Sequence, residues 1–306
     1  MIYDMFGNEI ATAYSEDATE LDTAYDMYGV EVFSGDTPTP TPQGIEKYEN
    51  YTIEMMGYQT PCGQDFAYYD GKIVAATGTQ DTLKVINAST GAALASAFSV
   101  SIGHCNSIVF SDEFYDQGDT FPLLCATYSG LDYYRIANTY DSAERVKKYT
   151  LETPIDSNTR WYGLGFDDGY FYAIGYTSGS YQQSATNFIL LAKYDLQNPV
   201  NNGDDTYTLP IIYTKRREWF ECIQGSEVHD GFFWVNSGFT NPGHVYAIDL
   251  TNAKILLDIP LANYTTLEME ALTWESDSTL IVSSKNQGSN LGMFRITFPD
   301  AVQQQT

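Results

Sequence analysis

An all-β chain, most of it one five-bladed β-propeller, is predicted by three observations. One strand pattern returns five times after residue 45, Asp-Gly steps recur at one place within that pattern, and the 306 residues include 25 Tyr and 24 Gly. Tyr favours strands and Gly favours tight turns. No long window shows apolar residues at helical spacing, whereas short alternating runs recur throughout. The hydrophobic share of 43% is enough to bury a sizeable core.

Each return is a polar lead-in, a strand, a turn, a second strand ending in small residues, and a third strand. The first reads QDFAYYDG from Gln64, then KIVAATG and TLKVINASTG. The second begins HCNSIVF at His104, carries the insertion SDEFYDQGDTF, and resumes as PLLCATYSG. The third is WYGLGFDDG from Trp161, then YFYAIGYTSG and FILLAKYDL. The fourth is QGSEVHDG from Gln224, then FFWVNSG and HVYAIDLTN; the fifth is EMEALTW from Glu268, then STLIVSS and GMFRITF. A spacing of roughly 40 to 60 residues suits four-stranded blades with loop insertions. Asp70-Gly71, Asp168-Gly169 and Asp230-Gly231 are placed to join first and second strands as hairpin turns.

The first four returns continue into a fourth strand, but only eight residues follow Phe298. A spare strand, YENYTIEMM over 48–56, stands ahead of the first return. It is expected to be the outer strand of the last blade, an N-terminal strand closure that removes the open edge. Residues 45–306 are therefore read as one propeller. A β-sandwich would not need five matched units.

Residues 1–36 form a different unit. In steps of eleven they read YDMFGNEIATA, YSEDATELDTA and YDMYGVEVFSG, which aligns Tyr3, Tyr14 and Tyr25, and also Glu9, Glu20 and Glu31. Asp4 to Gly7 and Asp26 to Gly29 suit a type I turn, so each copy is read as a turn plus a short strand. Repeats this small cannot bury an apolar side alone and must stack on each other or on a partner. The arm holds nine acidic residues and no Lys or Arg. A stiff extended spacer, TPTPTPQG over 37–44, follows it.

The repeated Y-D-x-x-G-x-E-[IV] motif ahead of a Pro/Thr linker resembles the attachment segments of tail and fibre proteins in phages of gut Firmicutes. The resemblance covers about the first 43 residues. It implies a mount on other virion proteins through residues 1–36 and a homo-oligomer formed through the arm, and it implies nothing about catalysis. The rest of the chain resembles bacterial and phage propellers only in its blade pattern, which hosts binding, lyase and hydrolase activities alike.

Fifteen basic against 40 acidic residues give a net charge of −25 and exclude phosphate backbones as an expected partner. Lys215-Arg216-Arg217 is too short a patch to reverse that. No apolar run reaches the length of a membrane span, and the Met1 start lacks the basic and apolar regions of a secretory signal, so membrane insertion and secretion are not expected. Cys62, Cys105, Cys125 and Cys222 show no paired spacing and read as buried thiols of a chain folded in a reducing bacterial cytoplasm, reaching the outside on a particle released by lysis. No nucleophile elbow, zinc-helix motif or phosphate loop is present, so no catalytic residue and no metal ligand is assigned. No cofactor is expected. The acidic insertion at 111–119 leaves calcium open as an alternative to a solvated loop, although Phe114 and Gly118 depart from the EF-hand order.

Lead-in residues of all five first strands converge on one channel mouth. His104, Asn106, Trp161, Gln224, Glu268 and Glu270 are the candidate ligand-binding residues, with the Tyr-, Ser-, Gly- and Asn-rich loops at 175–187, 237–243 and 284–291 as a rim. A sugar there would stack on Trp161 and hydrogen-bond the amides and carboxylates. Two alternatives stay open. Asp65 and the glutamates could bond neighbouring blades' backbone, or Asp65, Glu268 and Glu270 could supply the acid and base of a polysaccharide hydrolase or lyase. The leading reading is a non-catalytic virion protein (tail, fibre or capsid decoration) whose propeller binds a host-surface glycan or a neighbouring protein.

Overall fold

The computed structural model describes residues 2–3, 9–10, 23–25, 31–34, 44–58, 62–77, 81–102, 107–127, 130–153, 160–176, 188–203, 206–218, 222–238, 243–284 and 292–301. From Gly44 onward these build a five-bladed β-propeller, each blade an antiparallel sheet numbered from its innermost strand outward. Blade one is Cys62–Tyr69, Lys72–Thr77, Thr82–Asn87 and Phe98–Ser99. Blade two is Ile108–Phe110, Leu124–Thr127, Leu131–Ile136 and Ala143–Leu151. Blade three is Arg160–Asp167, Tyr170–Tyr176, Phe188–Asp195 and Ile211–Glu218. Blade four is Ile223–His229, Phe232–Ser237, His244–Asp249 and Ile255–Pro260.

Blade five closes the ring with both ends of the propeller. Its first three strands are Met269–Ser276, Thr279–Ser284 and Met293–Thr297; its outer strand is Thr52–Met55, paired antiparallel in the register Ile53↔Ile296 and Glu54↔Arg295. Met56 extends the ladder by donating its N–H to the Met293 carbonyl at 2.9 Å. Just ahead, a 3-10 turn over Ile45–Tyr48 lies against the ends of blades four and five. Tyr48 is fully buried there, its ring 5.0 Å from Trp234, 5.1 Å from Phe298 and 5.6 Å from Trp274. The phenol donates to Asp230 at 3.2 Å, and Lys47 pairs with the same carboxylate at 2.5 Å.

The three Asp-Gly steps are two-residue hairpin turns. Asp70, Asp168 and Asp230 have φ of 44°, 46° and 54°, and the glycines after them 73°, 77° and 77°. Positive φ at both central positions is the geometry whose twist matches paired strands, and Asp-Gly tolerates it best. These turns place the ends of the inner strands of blades one, three and four at one face of the ring.

One feature has no counterpart in the sequence reading. Between the third and outer strands of blade three, Val200–Gly203 and Thr206–Leu209 form a hairpin. Thr206–Leu209 pairs in parallel with the outer strand of blade two, Tyr149 opposite Tyr207, so that sheet has six strands. Glu152 accepts the Ile211 N–H at 2.6 Å beside the junction.

In the arm, the backbone of copies one and three pairs alike. Tyr3 opposes Glu9 and Tyr25 opposes Glu31, so each of those copies is a short hairpin rather than a turn followed by one strand. The corresponding part of copy two, and the spacer over 37–43, lie outside the described residues.

Residues 45–55 therefore belong to the propeller. Tyr48→Ala should cost roughly 3–5 kcal/mol, the range for emptying a buried aromatic site. Removing residues 1–43 should leave the melting temperature nearly unchanged. Equal urea stability of Tyr48→Ala and the parent chain would contradict the placement.

Candidate functional site at the channel mouth

The five inner strands begin at one mouth of the ring and finish near the opposite face. At mid-height, small and polar side chains replace apolar ones. Asp65, Ser107 and Ser226 are all fully buried. The Asp65 carboxylate accepts the N–H of Phe66 at 2.9 Å, of Ile108 in blade two at 2.8 Å and of Leu272 in blade five at 3.4 Å. The Ser107 and Ser226 hydroxyls lie 3.1 Å apart, and Ser226 accepts the N–H of Leu164 in blade three at 2.8 Å. One connected network thus ties all five blades at the axis. Close approach makes it possible: a Cβ on Gly163 would stand 2.6 Å from the Ser226 hydroxyl, and one on Gly225 would stand 2.5 Å from the Leu272 nitrogen.

Burial holds the Asp65 carboxyl well above the usual carboxylate range, against the pull of its backbone donors. Its placement fits the backbone-bonding alternative. A carboxyl occupied by three N–H groups and the Ser107 hydroxyl inside the ring is a poor proton shuttle for a ligand at the mouth.

Toward the mouth, blades four and five bring together Cys222, Gln224, Glu268 and Glu270. Gln224 Nε2 donates to Glu268 Oε1 at 2.8 Å. The Cys222 thiol is pushed up to about 12 by burial and then by the charges of Glu268 and Glu270. Glu270 is only 4% exposed. Register shifts between Ile223 and Ser226 and between Met269 and Ala271 break the pleat at these residues. Bulges of this kind re-aim side chains at functional rims. Buried Asn236 fixes both, accepting the Gly225 N–H at 2.7 Å and donating to the Ala271 carbonyl at 2.6 Å.

Of the sequence-predicted residues, Gln224, Glu268 and Glu270 thus form one group. Trp161 packs in the layer between blades two and three, edge-on to Tyr194 at 6.1 Å and half-buried. His104 and Asn106 lie outside the described residues, as do 177–187, 239–242 and 285–291 of the rim loops. Sequence reasoning missed Cys222 and Asn236 as parts of this mouth. It named Asp65 but missed the other small residues of the axis, although one signal for them was present: Asp65, Ser107, Gly163 and Ala271 each precede an apolar residue at the same place in the repeat.

The opposite face carries different chemistry. Glu227 accepts the backbone N–H of Trp274 at 2.8 Å, and burial pushes its carboxyl up to about 7. His229 stacks on Trp274 with ring centres 4.0 Å apart, and burial lowers its pKa. His244 is elsewhere, 2.6 Å from Asp258. In the blade-two insertion, Asp116 and Asp119 both meet the Arg135 guanidinium at 2.7 Å, which holds the Asp119 carboxyl below the usual range. Among the described residues no three His, Cys, Asp or Glu side chains are grouped to hold a metal ion, and no helix is long and apolar enough to cross a membrane.

No protein-family model matches the sequence, and neither does any curated protein. Solved structures similar in fold include glutaminyl cyclase of Myxococcus xanthus, with a TM-score of 0.51 and 12% identity over 80% of this chain and 96% of that one. They also include PQQ-bound aldose sugar dehydrogenase of Streptomyces coelicolor, with a TM-score of 0.48 and 9% identity over 81% and 98%. A gluconolactonase of Xanthomonas campestris has a TM-score of 0.42 and 12% identity over 82% and 91%. At such identities the first of these likenesses shows the propeller fold and nothing of the chemistry.

The carboxyls give a pH signature. Glu227 binds its proton more tightly in the folded chain than in the unfolded one. Its stabilising contribution is therefore present below the ordinary carboxylate range and is lost as pH rises through about 7. Urea midpoints should fall between pH 5 and pH 8, and Glu227→Gln should flatten that fall. An unchanged slope in the variant would remove Glu227 from the account. Asp65→Ala should destabilise by at least about 2 kcal/mol at any pH, because buried N–H groups lose their acceptor.

Proposed function

We propose that the protein is a non-catalytic virion structural protein, a tail, fibre or capsid decoration, whose propeller binds a host-surface glycan or a neighbouring protein at the channel mouth. The observation that carries this reading is the separation of mount from mouth. The chain enters the propeller at Ile45–Tyr48 beside the Asp230 turn, at the far end of the inner strand that begins with Ile223 and Gln224. Seven residues of strand, roughly 20 Å, stand between them. A head held by its arm from one face presents the opposite mouth outward. The repeat arm and its resemblance to phage attachment segments support the virion setting, with residues 1–36 docking on other virion proteins.

At the mouth, Gln224, Glu268 and Glu270 would hydrogen-bond a ligand together with His104 and Asn106, while Trp161 would offer an apolar edge. Fixed polar groups with one aromatic wall suit a polyhydroxylated ligand. A second reading, a polysaccharide hydrolase or lyase, is favoured by one observation: Glu270 is nearly buried at the mouth, where a second carboxylate, Glu268, is grouped with it around Cys222.

Incubation with host capsular and cell-wall polysaccharide separates the two. The binding reading predicts retention of polysaccharide on the full chain with no new reducing ends and no unsaturated sugars. Either product would establish the enzyme instead. Glu268→Gln and Gln224→Ala should each weaken binding about tenfold or more, near 1.4 kcal/mol, without lowering the melting temperature. Binding that survives both changes would move recognition away from the mouth.

A further inference from the structure

Between the arm and the mouth the chain is fastened twice in series. The first fastening is the turn Ile45–Tyr48. Tyr48 is inserted among Phe232 and Trp234 of blade four, Trp274 of blade five and Phe298 just past the last strand, edge-on to each ring. Its phenol and the Lys47 ammonium meet the same Asp230 carboxylate, and the ammonium also lies over the Tyr48 ring at 5.1 Å. Asn50 then donates to Asp300 at 2.7 Å, which sets the entering chain beside the chain that leaves the last strand. The second fastening is the strand Thr52–Met55, with Met56, bonded to the last strand.

The direction of that strand matters. Thr52 opposes Thr297, which itself opposes Thr279 beside the far-face turn, and Met55 opposes Phe294. The strand therefore runs from the face where the arm enters toward the mouth, where Met269 opens the inner strand of blade five opposite Ser284. A pull on the arm against a head held at its mouth acts along this strand. Ladder bonds of an antiparallel pair stand perpendicular to the strands, so such a pull strains all of them at once. Drawing the two ends of the propeller apart acts across the strand instead, and opens the ladder pair by pair from Thr52 and Thr297. Tyr48 stands ahead of the ladder on the arm side, so tension from the arm reaches the aromatic insertion first. Withdrawing Tyr48 would bare its own ring and the four that cover it.

We infer that residues 45–56 are a tension anchor, in which the Tyr48 insertion and the ladder behind it hold the head against a pull directed from the mouth toward the arm, and yield when the two ends of the propeller are drawn apart. The inference rests on reading residues 1–36 as a mount and the mouth as the bound end, because a head held at both is pulled in that direction. It adds a role for a segment that neither docks nor binds.

Single-molecule pulling on the full chain tests this without a particle or a ligand, so it can fail while the arm still docks and can succeed on an arm that docks nowhere. One handle is placed at the N-terminus. The other is attached either at position 263, exposed on the loop that leads into blade five at the mouth, or at the C-terminus. Lifetime at one constant force reads the forced unfolding rate. The parent chain should last longer when pulled between the arm and position 263 than between the arm and the C-terminus. That comparison does not depend on how any variant folds. Tyr48→Ala should shorten the arm-to-263 lifetime about tenfold or more, whereas Tyr48→Phe, which keeps the ring and loses the Asp230 bond, should keep most of it. Equal lifetimes in the two directions overturn the inference. So does an arm-to-263 lifetime that Tyr48→Ala leaves unchanged, and so does a loss in Tyr48→Phe as large as that in Tyr48→Ala.

Discussion

The pairing of Thr52–Met55 with the last strand is the contact on which the rest of the structure depends. Five twisted sheets around an axis leave one blade incomplete unless the two ends of the propeller meet inside it, and here they meet in the register Ile53↔Ile296. An incomplete blade would expose a full row of backbone donors and acceptors. Closure also sets where everything else lies. It fixes Tyr48 under Trp234 and Trp274, and it thereby fixes the face at which the arm joins the head. Without that seam neither the axis network nor the mouth would have a stable frame.

Inside the frame, the axis is held by polar groups where a larger ring would have room for apolar layers. Asp65 bonds blades two and five, and Ser226 reaches blade three and Ser107. A buried carboxyl costs desolvation, and its raised pKa records that cost. It is retained where several N–H groups of neighbouring strands converge on one point and a single side chain can satisfy them together. The same crowding ends short of the mouth, where Gln224, Glu268 and Glu270 stand.

The fold was legible in the sequence because its signals are local. The Asp-Gly turns announce themselves through φ > 0 at Asp70, Asp168 and Asp230, and the spare strand near Tyr48 was visible because the last return lacked a partner. The burial of Tyr48 against four aromatic rings was not, since those partners are brought together only by the ring. The hairpin at 200–209 escaped for a related reason: it pairs in parallel with a strand of the previous blade, and no local pattern encodes a partner 58 residues away, as Tyr149 is from Tyr207. The site was legible in part. Strand starts converge on the mouth, as the repeat predicts, so Gln224 and Glu268 meet. The bulges at Ile223 and Met269 then decide which way each side chain points, and Trp161 packs between blades two and three. A bulge of one residue changes a face without changing a composition.

The central claim is that residues 52–55 are an integral strand of the last blade. Native-state hydrogen exchange on the full chain reads this directly, because amides of one cooperative unit open with one free energy. The account predicts that the amides of this outer strand that face the last strand, Thr52, Glu54 and Met56, exchange at rates matched to those of Met293–Thr297, both set by global unfolding. Fast exchange of those three amides while 293–297 stays protected would contradict it.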